Sequence, residues 1–376
     1  MKTVCAHDLC TGCMACIDKC PKKAIRIEDS LMAYNAQIDE SMCVDCKLCY
    51  SVCQKNNPPE ALSPQVWFQG WAQDWRIRQM GSSGGVATAL SRCFIEKGGI
   101  VCSCKFINGE FSFDVAQTTA ELEKFAGSKY IKSNPTGVYE KVGKLLESKE
   151  VLFIGLPCQV AALKKNTKKT LLGNLYTIDL ICHGTPSPKL LEVFLRQHHS
   201  SLNTLSDIRF RTKGQFQVSD GYRGIITTGV CDSYLLSFLN GVNYTENCYH
   251  CDYAKFERVS DITLGDSWGT ELKSEMKKGV SLILCQTEKG ESLVRKAKLE
   301  LKDVDIEKAI KNNHQLQHPS IEPKGRKAFL ESIRKNRSYA WQVFKLFPKQ
   351  SIRQLVKMVL IKLRIVGRDN ELEDHC

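Results

Sequence analysis

The chain has 376 residues, a formal net charge of +12, 25% charged residues and 43% hydrophobic residues. These values are ordinary for a soluble globular protein, and no stretch approaches the roughly 18 uncharged apolar residues of a membrane span. Between Lys324 and Arg364 there are twelve basic residues and one acidic residue, so the rest of the chain is almost neutral. Composition therefore gives no support for nucleic-acid binding by the body of the protein.

Two cysteine runs near the N-terminus share the spacing C-x2-C-x2-C-x3-C, which is the ligand pattern of proteins that hold two [4Fe–4S] clusters. In that pattern each run gives three thiolates to one cluster and its fourth thiolate to the other. One predicted quartet is Cys10, Cys13, Cys16 and Cys53, and the other is Cys43, Cys46, Cys49 and Cys20. Gln54 stands where the second run would usually carry proline, which affects only the local turn.

Other uses of these cysteines fit the sequence less well. Disulfides need an oxidising compartment, whereas the start at Met1 has no basic segment followed by an apolar one, so we expect a cytoplasmic location. Zinc ribbons use two C-x2-C pairs rather than two quartets. Because iron–sulfur clusters accept and release single electrons, the sequence predicts a member of an electron-transfer path.

The chain divides into four segments. Residues 1–56 form the ferredoxin-type module, residues 57–64 are a proline-rich linker, residues 65–322 form the large domain and residues 323–376 form a basic amphipathic tail. The large domain alternates apolar runs with helical patterns, which predicts an α/β or α+β fold. We predict helices over 84–97, after Pro157, after Pro188 and after Glu288, and strands over 100–102, 151–154, 175–181 and 281–284.

Four cysteines of the large domain form a candidate third site. Cys158 and Cys182 each follow a predicted parallel strand, and the carboxyl ends of neighbouring parallel strands face one crevice. Cys248 and Cys251 are a close pair that can complete a quartet. From spacing alone, buried cysteines that act as small hydrophobic residues are an equally good interpretation.

Two loops carry groups suited to a phosphate. The sequence Gly-Ser-Ser-Gly-Gly at 81–85 precedes a predicted helix, and amides at a helix N-terminus bind phosphate. It is not a G-x-G-x-x-G fingerprint, so a flexible turn is the competing interpretation. The loop at 127–133 adds Lys129, Tyr130 and two serine hydroxyls.

The motifs at 81–90, 127–133, 155–161, 179–188 and 248–269 together resemble the coenzyme F-420 hydrogenase/dehydrogenase β-subunit family, here with a ferredoxin-like extension at the N-terminus. The resemblance covers roughly residues 1–320. It implies a flavoprotein that binds FAD and an iron–sulfur cluster in the large domain.

Site residues follow from the resemblance position by position. The third cluster would be held by Cys158, Cys182, Cys248 and Cys251. The flavin would be bound by Ser82, Ser83, Gly84, Gly85, Thr88, Ser128, Lys129, Tyr130 and Asp266. Lys129 would favour the anionic reduced flavin through its charge. His183 is a candidate proton donor, with a hydrogen bond to the cluster surroundings as the alternative.

The function that the resemblance implies is an oxidoreductase that converts two-electron chemistry at FAD into single-electron transfer through clusters. The substrate would be reduced coenzyme F-420 or another organic molecule, and the electron partner a ferredoxin or another redox protein. A non-catalytic electron-relay subunit is the alternative, and a member that has lost its flavin is a third possibility.

The basic tail contains one further predicted helix, over 351–366. Arg353, Lys357 and Arg364 fall on one face of it, among apolar residues. Such a helix lies on an anionic membrane surface, here the inner face, or docks a protein partner, or packs on its own domain. The pattern alone leaves all three open.

Overall fold

The computed structural model describes residues 2–366 and is a mixed α/β fold, as predicted. The strands are β1 Ile25–Asp29, β2 Tyr34–Ile38, β3 Val66–Ala72, β4 Ile100–Ile107, β5 Glu110–Ala116, β6 Val151–Gly155, β7 Leu175–Leu180, β8 Ile208–Thr212, β9 Gln215–Asp220, β10 Arg223–Gly224, β11 Ile262–Asp266, β12 Ser281–Cys285 and β13 Leu299–Lys302. The helices are α1 Ala15–Lys19, α2 Leu48–Val52, α3 Trp75–Met80, α4 Val86–Glu96, α5 Val138–Leu145, α6 Pro157–Asn166, α7 Pro188–Gln197, α8 Ser233–Leu239, α9 Lys273–Met276, α10 Glu288–Lys296, α11 Ile306–Asn312, α12 Arg326–Arg334, α13 Tyr339–Leu346 and α14 Pro348–Lys362.

An eight-stranded sheet in the order β13-β3-β12-β11-β7-β6-β4-β5 organises the large domain. Its centre is parallel, because β4, β6, β7 and β11 run in the same direction. The flanking strands β3, β5, β12 and β13 are antiparallel to their neighbours. The predicted strand over 281–284 is therefore present as β12, but it does not continue the parallel theme of the centre.

Helices cover the sheet through the apolar faces that their sequences predict. In α4 the side chains of Val86, Leu90 and Phe94 are one turn apart, and all are buried against the sheet. On the other face α5 and α6 pack over β6, whose Phe153 is fully buried. Burial of such a side chain stabilises the fold by about 1.5–3 kcal/mol.

A second core lies beside the sheet. It joins α7, α8 and the three-stranded sheet β8-β9-β10 to α12 and α13. Phe329 and Tyr339 of the basic C-terminal segment are buried in this core, and the buried Arg326 donates to the carbonyl oxygen of Tyr244. The first part of the predicted tail is thus core structure, and residues 367–376 lie outside the described residues.

The ferredoxin-type module is packed tightly on the large domain. The hairpin β1–β2 and the short helices α1 and α2 surround its cysteines. The Tyr139 hydroxyl donates to the carbonyl oxygen of Cys13 at 2.6 Å, and Asp18 accepts from the Gly137 amide. The proline-rich segment after the module is also bound to the large domain, because Leu62 and Arg258 exchange backbone hydrogen bonds. These contacts hold the module in one position.

Candidate functional site

The outer cysteine quartet lies at the surface of the module. Cys20, Cys43, Cys46 and Cys49 line one cavity. Cys46 is exposed, and the other three are partly buried. A left-handed backbone at Lys47 precedes α2 and turns the run around the cavity. The structure therefore brings together the four sulfurs that the spacing assigns to one cluster.

The inner quartet is buried. Cys10, Cys13, Cys16 and Cys53 are each less than a tenth exposed and lie in one cluster of side chains or beside it. Burial, together with the nearby thiols Cys10 and Cys53, raises the pKa of Cys13 to about 12. A buried thiolate is stable only beside positive charge, which iron supplies.

Cys5 adjoins the inner quartet, a position that the sequence pattern does not indicate. It hydrogen-bonds to Cys10 and Cys53. Hydrogen bonding from Cys5 lowers the pKa of Cys53 to about 6, despite burial. Cys5 therefore lies where its single S–H can donate to a predicted ligand of the inner quartet.

The third quartet lies where the parallel strands end. Cys158 begins α6 just after β6, Cys182 follows β7, and both line one cavity with Cys248 and Cys251. Burial raises the pKa of Cys182 to about 12, and the neighbouring Cys248 and Cys251 add to the rise. The Thr185 amide donates to the Cys248 sulfur at 3.4 Å. In the structure Cys158 and Cys182 line the same crevice, as the strand ends predicted.

Each quartet supplies the four thiolates that an iron–sulfur cluster needs. Within residues 2–366, no three His, Cys, Asp or Glu side chains converge closely enough to hold one metal ion, and no disulfide joins two cysteines. A cubane fills the space between its four thiolates, so its ligands stand farther apart than those of one ion. Four thiolates without histidine or carboxylate are the donor set of [4Fe–4S] clusters.

The two loops predicted to bind flavin touch each other. The Ser128 amide donates to the Ser82 hydroxyl at 2.8 Å. Thr88 lies in the first turn of α4, with its side chain partly buried. This arrangement places hydroxyls from both loops at the N-terminus of α4, where an anionic group is favoured.

The glycines of the first loop have packing reasons of their own. A side chain on Gly84 would come within 2.6 Å of the Gly70 carbonyl oxygen. Gly85 has a φ of +76°, and a side chain there would approach the Ile77 carbonyl oxygen to 2.7 Å. Ser83 donates to the Val280 carbonyl oxygen. These three residues hold the loop against its neighbours whether or not a phosphate binds.

Lys129 has a different environment from the one expected. Its ammonium group donates to the carbonyl oxygens of Phe125, Ala126 and Gly127 at 2.8–3.0 Å, which uses all three of its hydrogens. Burial lowers the pKa of Lys129 to about 8. The side chain therefore closes its own loop, and a direct contact with flavin would require it to give up one of these bonds.

Two cations that the sequence reasoning missed, Arg211 and Lys213, lie beside the loops predicted to bind flavin. Arg211 of β8 makes two hydrogen bonds to Asp266, at 2.5 and 3.2 Å, and its guanidinium also interacts with the Tyr130 hydroxyl. Lys213, in the turn after β8, donates to the Ser83 carbonyl oxygen at 3.0 Å. No local motif marks this hairpin; its alternating strand pattern and the charges at 209–213 were the available signals.

His183 stands between the third quartet and the Arg211–Asp266 pair. It follows Cys182, and its Nδ1 lies 2.7 Å from the Gln315 amide nitrogen. The residue is exposed at the mouth of the cavity. Partial desolvation of its ring and the nearby His314 nevertheless lower the pKa of His183. The imidazole is therefore neutral at neutral pH.

Comparison with known families defines the class of protein first. Residues 9–57 match the family model of the 4Fe-4S dicluster domain, which makes this an iron–sulfur protein. Residues 67–137 and 148–309 match the N-terminal and C-terminal models of the coenzyme F420 hydrogenase/dehydrogenase beta subunit, which together span more than half of the chain. The chain belongs to that family of oxidoreductase subunits, as its motifs predicted.

One similar solved structure is the F420-reducing [NiFe] hydrogenase complex from Methanosarcina barkeri. The identity is 20% and the TM-score 0.46, over 70% of this chain and 98% of that chain. A comparison with the curated proteins gave no match.

Proposed function

We propose that this protein is an iron–sulfur flavoprotein oxidoreductase that couples hydride exchange between FAD and an organic substrate to single-electron transfer through three [4Fe–4S] clusters. The observation that carries the proposal is the succession of cysteine quartets. It runs from the exposed Cys46 through the buried inner quartet to the third cavity, and next to that cavity lie His183 and the Arg211–Asp266 pair. Reduced coenzyme F-420 is the first candidate substrate because of the family.

The residues present fit FAD with one change to the expected set. Ser82 and Ser128 would supply hydroxyls. Arg211 and Lys213, which bond to Asp266 and to loop carbonyl oxygens, would supply the positive charge that was assigned to Lys129. FAD, when bound, exchanges a hydride with the substrate and single electrons with the clusters. Arg211 and Asp266 would orient the group bound there, and the β8–β9 hairpin would exclude water from it.

His183 is proposed to hold or move a proton at Nε2. Its Nδ1 is engaged by Gln315, and its carbonyl oxygen accepts from the Ser320 hydroxyl, so the ring is fixed in orientation. Because the imidazole is neutral, it would donate through an N–H rather than as an imidazolium. We expect the His183→Gln variant to retain its iron but to lose turnover.

The test of the proposal is the cofactor content of anaerobically purified protein. Three clusters predict about twelve iron atoms per chain, by the four-cysteine rule for each cubane, together with one releasable FAD. Cys248→Ser should lower the iron to about eight. Cys93→Ser is the matched control, since Cys93 lies in the apolar face of α4. About eight iron atoms in the unchanged protein would remove the third cluster, and protein without flavin would remove the hydride chemistry.

An electron-relay subunit without its own substrate is the second candidate. The exposed Cys46 and its exposed neighbours Met42, Val44 and Tyr50 favour contact with a redox protein at the outer quartet. A ferredoxin or another redox subunit fits this position. Turnover of reduced coenzyme F-420 by the isolated protein with an artificial acceptor would favour the enzyme; a flavin that is reduced only through a partner would favour the relay.

We also propose that the C-terminal helix rests on the inner face of an anionic membrane. In α14 the polar Ser351 and Gln354 face the protein, and Gln354 accepts from the Cys231 amide. The apolar side chains form an outward stripe and are 50–63% exposed: Ile352, Leu355, Val356, Val359 and Leu363. Exposed cations flank this stripe, which is the pattern of an interfacial helix. None of the described helices is long and apolar enough to cross a bilayer.

Vesicle sedimentation tests this contact. The protein should bind vesicles that contain phosphatidylglycerol and not vesicles of phosphatidylcholine alone. Leu355→Glu with Val359→Glu should abolish binding without loss of iron, because both side chains already face solvent. Ile107→Glu is the control, since Ile107 is equally exposed on β4. Dimerisation that the double variant abolishes, without vesicle binding, would contradict the proposal and assign the stripe to a second copy.

A further inference from the structure

Lys132 is a buried lysine that the flavin assignment does not use. It lies in the loop at 127–133, and its side chain is almost wholly buried. Its ammonium group donates to the Thr11 carbonyl oxygen at 3.0 Å and to Asn247 Oδ1 at 3.3 Å. The same nitrogen lies 5.2 Å from the centre of the Tyr34 ring.

These partners connect two of the cysteine quartets. Thr11 directly follows Cys10 of the inner quartet. Asn247 directly precedes Cys248 of the third quartet, and its amide donates to the Cys248 sulfur at 3.5 Å. A hydrogen-bonded path therefore runs from the inner quartet through Lys132 to a thiol of the third. Lys132 also lines the cavity of the third quartet.

The surroundings of the Lys132 ammonium group require negative charge nearby. The direct partners of the ammonium group named above are a carbonyl, an amide oxygen and a ring, all of them neutral. A buried cation with neutral partners is costly unless negative charge lies close by, and a cubane with four thiolates is negatively charged.

We propose that Lys132 is a shared positive charge between the inner and third clusters that raises the reduction potentials of both. Reduction adds one negative charge to a cluster, and a nearby cation stabilises the reduced state more than the oxidised state. The inference rests on the proposed function, because it requires a cluster in each quartet.

The test is a potentiometric titration of the anaerobic protein followed by electron paramagnetic resonance, with the full chain and its clusters. Lys132→Met removes the charge and keeps the length, Lys132→Gln keeps a hydrogen-bond donor without the charge, and Lys132→Arg keeps the charge. Both neutral variants should shift the midpoint potentials of the inner and third clusters to more negative values. The arginine variant should stay close to the unchanged protein, and the outer cluster should not shift in any variant.

Lys189→Met is the matched control, because Lys189 also donates from the large domain to a carbonyl of the module, at Asp29, from an exposed position. Its potentials should equal those of the unchanged protein. Unshifted potentials in Lys132→Met and Lys132→Gln would overturn the proposal, as would an equal shift of all three clusters. Loss of iron in the neutral variants but not in Lys132→Arg would support the role of the charge; loss in all three would assign Lys132 to packing alone.

Failure of the proposed function is distinguishable from failure of this inference. If the unchanged protein holds about eight iron atoms, the third cluster is absent, by the four-cysteine rule. The inner cluster still reports on Lys132 in that case. A negative shift of the inner cluster's midpoint potential in the neutral Lys132 variants would then support the electrostatic effect of Lys132. It would contradict only the claim that two clusters share this charge.

Discussion

At the scale of single residues, Gln54 makes side-chain hydrogen bonds that its place in the cysteine motif does not predict. It stands where proline is usual, and it is almost wholly buried. Its amide donates to the Thr11 hydroxyl at 2.9 Å, and its side-chain oxygen accepts from the Tyr253 hydroxyl. Tyr253 follows Cys251 by two positions, so Gln54 links the inner quartet to the loop of the third.

Gln54→Pro therefore tests whether the departure from the motif is used. The substitution keeps all cluster ligands but leaves the Tyr253 hydroxyl without this partner, at a cost of about 1–3 kcal/mol. We expect a lower thermal unfolding midpoint and weaker retention of the third cluster, measured as iron remaining after incubation with a chelator. Gln54→Glu, which keeps a side-chain acceptor for the Tyr253 hydroxyl, is the control. Unchanged iron retention in Gln54→Pro would contradict the link.

The twelve predicted cluster ligands show which residues a sequence can give. The eight cysteines of the module follow from local spacing. The third quartet follows from the family resemblance, together with the strand ends that carry Cys158 and Cys182. Cys5, Arg211 and Lys132 were beyond such reasoning, because no spacing marks them and each has partners distant in the chain. Lys129 had the expected neighbours but not the expected bonds, since its own loop carbonyls compete for its hydrogens.

At the scale of elements, the β8–β9 hairpin forms one wall of the candidate flavin site. Arg211 reaches Asp266 at the end of β11, and Lys213 reaches the glycine-rich loop. The sequence analysis did not predict this hairpin, since its strands are short and belong to a sheet of their own. Parallel strands were predictable as continuous apolar runs, whereas the direction of β12 depends on pairing with β3, which a local pattern does not contain.

Arg211→Gln should weaken FAD binding while leaving iron unchanged. Loss of one charge-assisted hydrogen bond to the flavin, about 1.5–3 kcal/mol, corresponds to roughly a 10- to 100-fold higher dissociation constant. The measurement is flavin released from the purified protein, followed by titration of the stripped protein with FAD. Arg209→Gln is the control on the same strand, because Arg209 pairs with Asp207 instead. Equal FAD affinity in the two variants would remove Arg211 from the site.

At the scale of the whole molecule, the three quartets form a graded series. The outer quartet borders solvent and the inner quartet is buried. The third quartet lies at the carboxyl ends of the central strands β6 and β7. The rigid docking of the module fixes the order, through contacts such as that between Tyr139 and Cys13. Sequence reasoning predicted the module and the domain separately, but their relative placement depends on these distant hydrogen bonds.

This order predicts the outer cluster as the point where a protein donor delivers electrons. Cys43→Ser combined with Cys46→Ser should remove about four of about twelve iron atoms, by the four-cysteine rule. We expect reduction of the remaining clusters by a reduced ferredoxin to slow at least ~10-fold, because the surface cluster is the one a protein can approach. Reduction by dithionite should persist, since a small molecule reaches clusters by other routes. Cys93→Ser should leave both rates unchanged, and undiminished reduction of the double variant by ferredoxin would place electron entry elsewhere on the protein.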